Sequence, residues 1–184
     1  MSQIDNLLSN YKDFIALPWA DKIHGAQKVL FAVYPPTEER RLRTKMPEFE
    51  IVTRDTKREW HLVDLTNCPA EWLGEHEYKD GYFADPSAVE NINHELKEKL
   101  VSLLTKECDS HNGPDTVLAI LGIGSLFGFI HISSVLTELD NKIKGRLLVF
   151  FPGVYEQNRY RFLDARDGFN YMAMPITCEE RMKI

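Results

Sequence analysis

The sequence comes nearest to ligand chemistry in LAILGIGSLFGF, residues 118–129, where an apolar run opens into Gly122, Gly124, Ser125 and Gly128. In many α/β proteins such a loop brings backbone N–H groups and a helix N-terminus onto a phosphate. A dinucleotide fingerprint needs its third glycine at position 127, which is Phe127. A P-loop needs a lysine and a hydroxyl residue after its last glycine, and Phe129 and Ile130 follow Gly128 instead. These glycines are therefore expected to allow positive φ and close strand-to-helix packing. Ser125, at the carboxyl edge of a sheet, also offers the loop a contact with a ligand or a partner protein.

The remaining chemistry-bearing residues form no catalytic constellation. His24, His61, His76, His94, His111 and His131 share no H-E-x-x-H or other tight ligand spacing. Cys68, Cys108 and Cys178 are odd in number, lie far apart and read as reduced thiols. No G-x-S-x-G nucleophile elbow is present. The densest polar grouping is in the tail, where Arg159, Arg161, Asp164, Arg166 and Asp167 alternate with Tyr160, Phe162 and Phe169. One reading is a set of charge pairs on a hairpin, each worth little if exposed. The other is a recognition surface of Arg159, Arg161 and Arg166 with Tyr155, Tyr160 and Phe169, since arginine and aromatic residues dominate interface hot spots.

Bulk properties bound these readings. At 184 residues the chain suits one α/β domain, 1–184, and 43% hydrophobic with 27% charged residues is the balance of a soluble globular protein. No apolar run reaches the roughly 20 residues of a membrane helix, and the polar N-terminus is unlike a signal peptide, so a cytoplasmic location is expected. A net charge of −6 argues against a protein built to grip a nucleic-acid backbone. The RRLRTK cluster at 40–45 follows Glu38 and Glu39 and reads as a solvated helix face.

Elements must position these groups. Ser2 with Asp5 forms a capping-box pattern before Ile4, Leu7, Leu8, Tyr11, Phe14 and Ile15, which predicts an N-terminal helix. KVLFAVY (28–34) reads as a strand buried on both faces, and a helix begins after Thr37 that Pro47 kinks or splits. WHLVDLT (60–66) is a second strand, so the crossover between the two is right-handed and parallel. A short helix near Trp72 and a Gly81 break precede a long helix opened by Asp85 and Pro86. TVLAILGIG (116–124), a helix over HISSVLTELDNKI, and RLLVFF (146–151) closed by Pro152 and Gly153 complete the series. Asp167 and Gly168 then signal the turn of a C-terminal β-hairpin over 160–176, adding antiparallel strands at the sheet's edge. The expected fold is a three-layer α/β domain, with helices on both faces of a mostly parallel sheet, Rossmann-like but without a working nucleotide motif.

Five segments together resemble a known family: IDNLLSNYKDFIALPW, VLFAVYPPTEERRLR, WHLVDLT, LGIGSLFGFIHISSVL and GRLLVFFPGVYEQNRYRFLDARDGFNYMAMPIT. The resemblance is to BrxB, a core component of bacterial BREX phage-exclusion systems, and it covers the chain almost end to end. GSLFGF, GRLLVFFPG and YRFLDARDG in that order and spacing carry it most. It implies a place in a multi-gene defence system beside a large AAA+ ATPase, a PglZ-type phosphodiesterase and an adenine-specific DNA methyltransferase. It brings no catalytic residue to this chain. The expected function is a non-enzymatic adaptor that docks other BREX proteins, foremost the PglZ-type protein and the AAA+ ATPase. No cofactor, metal, membrane or tight intrinsic nucleic-acid binding is expected. Two alternatives stay open: an anion- or nucleotide-binding sensor using the 122–128 loop, and a DNA-binding component using RRLRTK.

Overall fold

The computed structural model describes residues 2–20, 23, 25–111, 113–165 and 168–180. Helix α1 (Gln3–Ile15) begins as the sequence indicates: the Ser2 hydroxyl accepts from the Asp5 amide at 3.2 Å, and the Asp5 carboxylate accepts from the Ser2 amide at 3.0 Å. It buries Ile4, Leu7, Tyr11 and Ile15 along one stripe. Strand β1 (Val29–Tyr34) is buried at every position. Helix α2 (Glu39–Asp55) runs unsplit through Pro47, burying Leu42, Met46, Phe49 and Thr53. Pro47 lies on its exposed side, where water can serve the carbonyl that the missing N–H leaves unpaired.

Strand β2 (Glu59–Asp64) is followed by α3 (Cys68–Glu75), α4 (Lys79–Ala84) and α5 (Asn93–Ser110). Gly81 lies inside α4 and does not break the chain there. Asp85 caps as expected, accepting from the Ser87 amide at 3.2 Å, but what it opens is a 3-10 stretch, Pro86–Ile92, and α5 proper starts at Asn93. Strand β3 (Thr116–Leu121) ends before the glycines, which form a 3-10 turn, Ile123–Leu126. Helix α6 (Ile132–Thr137) is half the expected length.

Strand β4 (Arg146–Glu156) does not stop at Pro152 and Gly153. Its pairing with β3 ends at Val149, and Pro152, beyond that ladder, stays opposite Tyr34 of β1 while its carbonyl accepts from the Leu163 amide at 2.9 Å. The rest of β4 turns through Gln157 and Asn158, both at positive φ (51° and 60°), into the antiparallel strand β5 (Arg159–Phe162). A hairpin turn thus forms at Gln157–Asn158, which the sequence reading did not foresee, while the turn expected at Asp167–Gly168 falls partly outside the described residues. Gly153 is required there, since a Cβ would meet the Arg161 carbonyl oxygen at 2.1 Å. Asp167 and Arg166 lie outside the described residues. Tyr160 and Phe169 exchange two antiparallel backbone bonds of 2.9 and 2.8 Å. Strand β6 (Met174–Ile176) then joins the sheet edge parallel to β1, not antiparallel as expected.

The six-stranded sheet has the order β2-β3-β4-β1-β6, with β5 attached to the far end of β4. All pairings except β4–β5 are parallel. The period of two sends Leu30, Ala32, Leu148 and Phe150 against α1 and α2. It sends Phe31, Ile120, Val149 and Phe151 to the other face, against α5 and α6. Covering both faces is what makes β1 and β3 read as unbroken apolar runs. Among the described residues no helix is long and apolar enough to cross a membrane.

Candidate functional site

The chain leaves β1 toward one face of the sheet and leaves β2 and β3 toward the other, so the loops part at the carboxyl ends of the strands. A cleft of about 470 Å³ opens there between α2, the glycine turn after β3, and β4. Its polar wall is a linked network. Tyr34 donates to the Glu39 carboxylate. Arg43 donates through Nε to Glu39 at 2.7 Å, and through its two terminal nitrogens to Asp64 at 3.0 Å and the Thr66 hydroxyl at 2.7 Å. Asp64 also accepts from the Thr66 amide at 2.9 Å and from its hydroxyl. Partial burial pulls the Asp64 carboxyl up, but the Thr66 bonds and the Arg43 guanidinium outweigh it and hold it below the usual range.

The glycines divide sharply within this wall. Gly122 sits at φ +80°, and a Cβ there would meet the Thr66 hydroxyl at 2.3 Å and the Asp64 carboxylate at 2.6 Å. Gly124 has no positive φ and only Pro152 near, at 3.8 Å. Gly128 is at φ +83° with open space around it. The Ser125 hydroxyl donates to the carbonyls of Leu65 (3.1 Å) and Gly122 (2.9 Å), pinning the turn to the end of β2. Of the charged groups, Glu39 and Arg43 line the cleft, and Arg43 is held by Glu39 and by Asp64 behind it.

Burial pushes Cys108 up to about 11 and Cys178 up to about 12, and raises Cys68 as well. Among the described residues no group of three or more His, Cys, Asp or Glu is placed to hold a metal ion. The RRLRTK cluster is the solvated helix face its sequence indicated: Arg41 pairs with Glu38 at 3.2 Å, Arg43 with Glu39, and Lys45 with Glu48 at 2.8 Å and Asp5 at 3.4 Å.

The tail residues separate by the pleat of β5. Arg159 and Arg161 are exposed, while Tyr160 between them is only 1% accessible. The Tyr160 hydroxyl donates to the Ala173 carbonyl at 2.6 Å, and its ring packs edge-on to Phe31 at 4.6 Å. Tyr160 is thus a core residue and presents no ring to a partner, a correction to its grouping with the surface residues. Tyr155 and Phe169 are half-buried against it, with ring centroids 4.7 and 6.0 Å away. Arg166 falls outside the described residues.

Phe127 is 43% exposed and lies 5.8 Å from Phe162, which itself packs on Phe151 at 5.3 Å. The glycine loop and the hairpin, over 30 residues apart in sequence, therefore meet. Sequence reasoning missed the Arg43 network, although Glu39 and Arg43 at i, i+4 and Asp64 with Thr66 just past a strand were its visible signals.

No curated protein and no solved structure matches the chain. Residues 70–176, more than half of the chain and including the glycine loop and the hairpin, match the family described as BREX protein BrxB. The chain belongs to the BrxB family.

Proposed function

We propose that this chain is a non-enzymatic adaptor of a BREX phage-defence system, docking other BREX proteins through its carboxyl-edge surface and tail hairpin. Membership of the BrxB family supports the role in BREX phage defence and suggests other BREX proteins as partners. The PglZ-type phosphodiesterase and the large AAA+ ATPase are the partners this reading names first. The observation that carries it is the commitment of the polar groups in the cleft to one another. Where an α/β enzyme keeps its reactive groups, Arg43 is spent on Glu39, Asp64 and Thr66, and the Ser125 hydroxyl is spent on two backbone carbonyls. Such a site braces loops. The exposed groups beside it, Arg159, Arg161 and Phe127, are of the types that anchor protein interfaces.

The test is purification of the tagged protein from cells expressing the whole system, with bound components identified, alongside assays of the pure protein for ATPase and phosphodiesterase turnover. Capture of a BREX component without turnover supports the reading. Turnover that Ser125→Ala abolishes overturns it.

A further inference from the structure

The two edges of the sheet are not equivalent. The β6 edge is three residues long and carries Pro175, which lacks an N–H to donate. The β2 edge is six residues long and has no proline. Glu59 and Leu65 bond inward to the β3 segment, so by the alternation of a parallel strand Trp60, Leu62 and Asp64 direct their backbone N–H and C=O away from the sheet.

One stripe of α2 runs beside this open edge: Arg43, Pro47, Ile51 and Arg54, spaced i, i+4, i+8 and i+11. Arg43 bonds Asp64 at one end of the edge, and Arg54 reaches the Trp60 carbonyl at 3.4 Å at the other. Between these polar ends Pro47, Ile51 and Leu62 are exposed, Ile51 at 56% and Leu62 at 42%, and Glu50 beside Ile51 pairs with Arg54 at 2.8 Å. An apolar centre with a charged rim is the anatomy of an interface, not of a solvated edge.

We propose that this edge is a homodimer interface, in which β2 of a second copy of the chain pairs antiparallel with β2 about a two-fold axis at Leu62. The charge pattern selects a second copy as the occupant. Pairing centred on Leu62 sets Trp60 of one chain opposite Asp64 of the other, which brings the Arg54–Glu50 ion pair of one chain against the Arg43–Asp64 pair of its partner, twice by symmetry, so that each end meets its complement. It sets Leu62 against Leu62 in a hydrogen-bonded pair and closes Ile51 over the same apolar centre. The Trp60 carbonyl, having two lone pairs, keeps its Arg54 contact while accepting from the partner strand. The dimer goes beyond the adaptor reading and does not depend on it.

Sedimentation equilibrium of the full chain tests the proposal. The wild type is expected at twice the 21.3 kDa chain mass, and Leu62→Lys and Ile51→Lys at the single mass, folded by circular dichroism and with a melting temperature that no longer depends on protein concentration. Leu62→Cys, whose Cα atoms would face each other about 5.5 Å apart across the axis, is expected to form a disulfide-linked dimer on mild oxidation. Met172→Lys, on the opposite edge, is expected to remain dimeric. A wild type that sediments as a monomer at tens of micromolar overturns the proposal. So does a dimer that survives both lysine substitutions or is lost in Met172→Lys.

Discussion

The ring of Phe127 lies 5.8 Å from the ring of Phe162, and this contact joins the glycine turn after β3 to the hairpin built on the end of β4. Two stretches more than 30 residues apart, both within the part of the chain that matches the BrxB family, are thus in contact. The predictions below separate residues that hold these stretches in place from those they display.

Gly122 and Gly124 differ in what they tolerate. Gly122→Ala places a Cβ at 2.3 Å from the Thr66 hydroxyl on a backbone at φ +80°, where left-handed geometry alone costs about 1–2 kcal/mol. The loss of stability in urea denaturation is expected to exceed that figure. Gly124→Ala, with its nearest neighbour at 3.8 Å, is expected to stay within about 0.5 kcal/mol of wild type.

Ser125→Ala removes the one hydroxyl proton shared between the Leu65 and Gly122 carbonyls, which ties the turn to the end of β2. The expected cost is about 1 kcal/mol, with phage restriction retained. A stable Ser125→Ala protein that has lost restriction, together with a thermal shift of the wild type by nucleotide, would instead favour an anion-sensing loop.

Tyr160 and its neighbours on β5 are expected to behave oppositely. Tyr160→Ala empties a core position packed by Phe31, Phe151 and Tyr155, at a cost of about 3–5 kcal/mol. Arg159→Ala and Arg161→Ala, on the exposed face, are expected to change stability by less than about 0.5 kcal/mol. Thermal melts of the three variants read the difference directly.

Acid is expected to weaken the fold near β2. The His61 and His111 rings stack with centroids 3.4 Å apart, and burial first, then the His111 charge, lower the pKa of His61 below 6.5. A histidine whose folded pKa is depressed binds its proton more readily when unfolded. Its contribution is therefore whole above about pH 6.5 and is lost as the pH falls below that value. Denaturant midpoints are expected to drop between pH 7.5 and pH 5.5, and His61→Gln should flatten that slope. An equal slope in both proteins would contradict the assignment.

Much of the fold was legible because its signals are local. The Ser2–Asp5 box, the all-apolar β1 and the stripe of α1 each lie within one element, and each formed as read. The errors arose where tertiary context decides. The turn at Gln157–Asn158 was not foreseen, because it follows from β4 outrunning its parallel neighbours and needing an antiparallel partner at once. Pro152 looked like a strand end, but the β3 ladder has already ended at Val149. The site was legible only in part. Gly122 and Gly124 look alike in sequence, and only the approach of Thr66 and Asp64, more than 50 residues away, separates them. The Arg43 network likewise needs α2 and the end of β2 brought together, which no spacing within either segment reveals.

The central claim is that the exposed tail arginines dock a partner, and it is tested most directly by Arg159→Glu combined with Arg161→Glu in a tagged chain purified from cells expressing the whole BREX system. Reversing an arginine held on a partner carboxylate costs on the order of 2 kcal/mol or more of binding. The account predicts a melting temperature close to wild type, loss of the BREX component that wild type captures, and loss of phage restriction. A folded double variant that still captures every component and still restricts phage would contradict it.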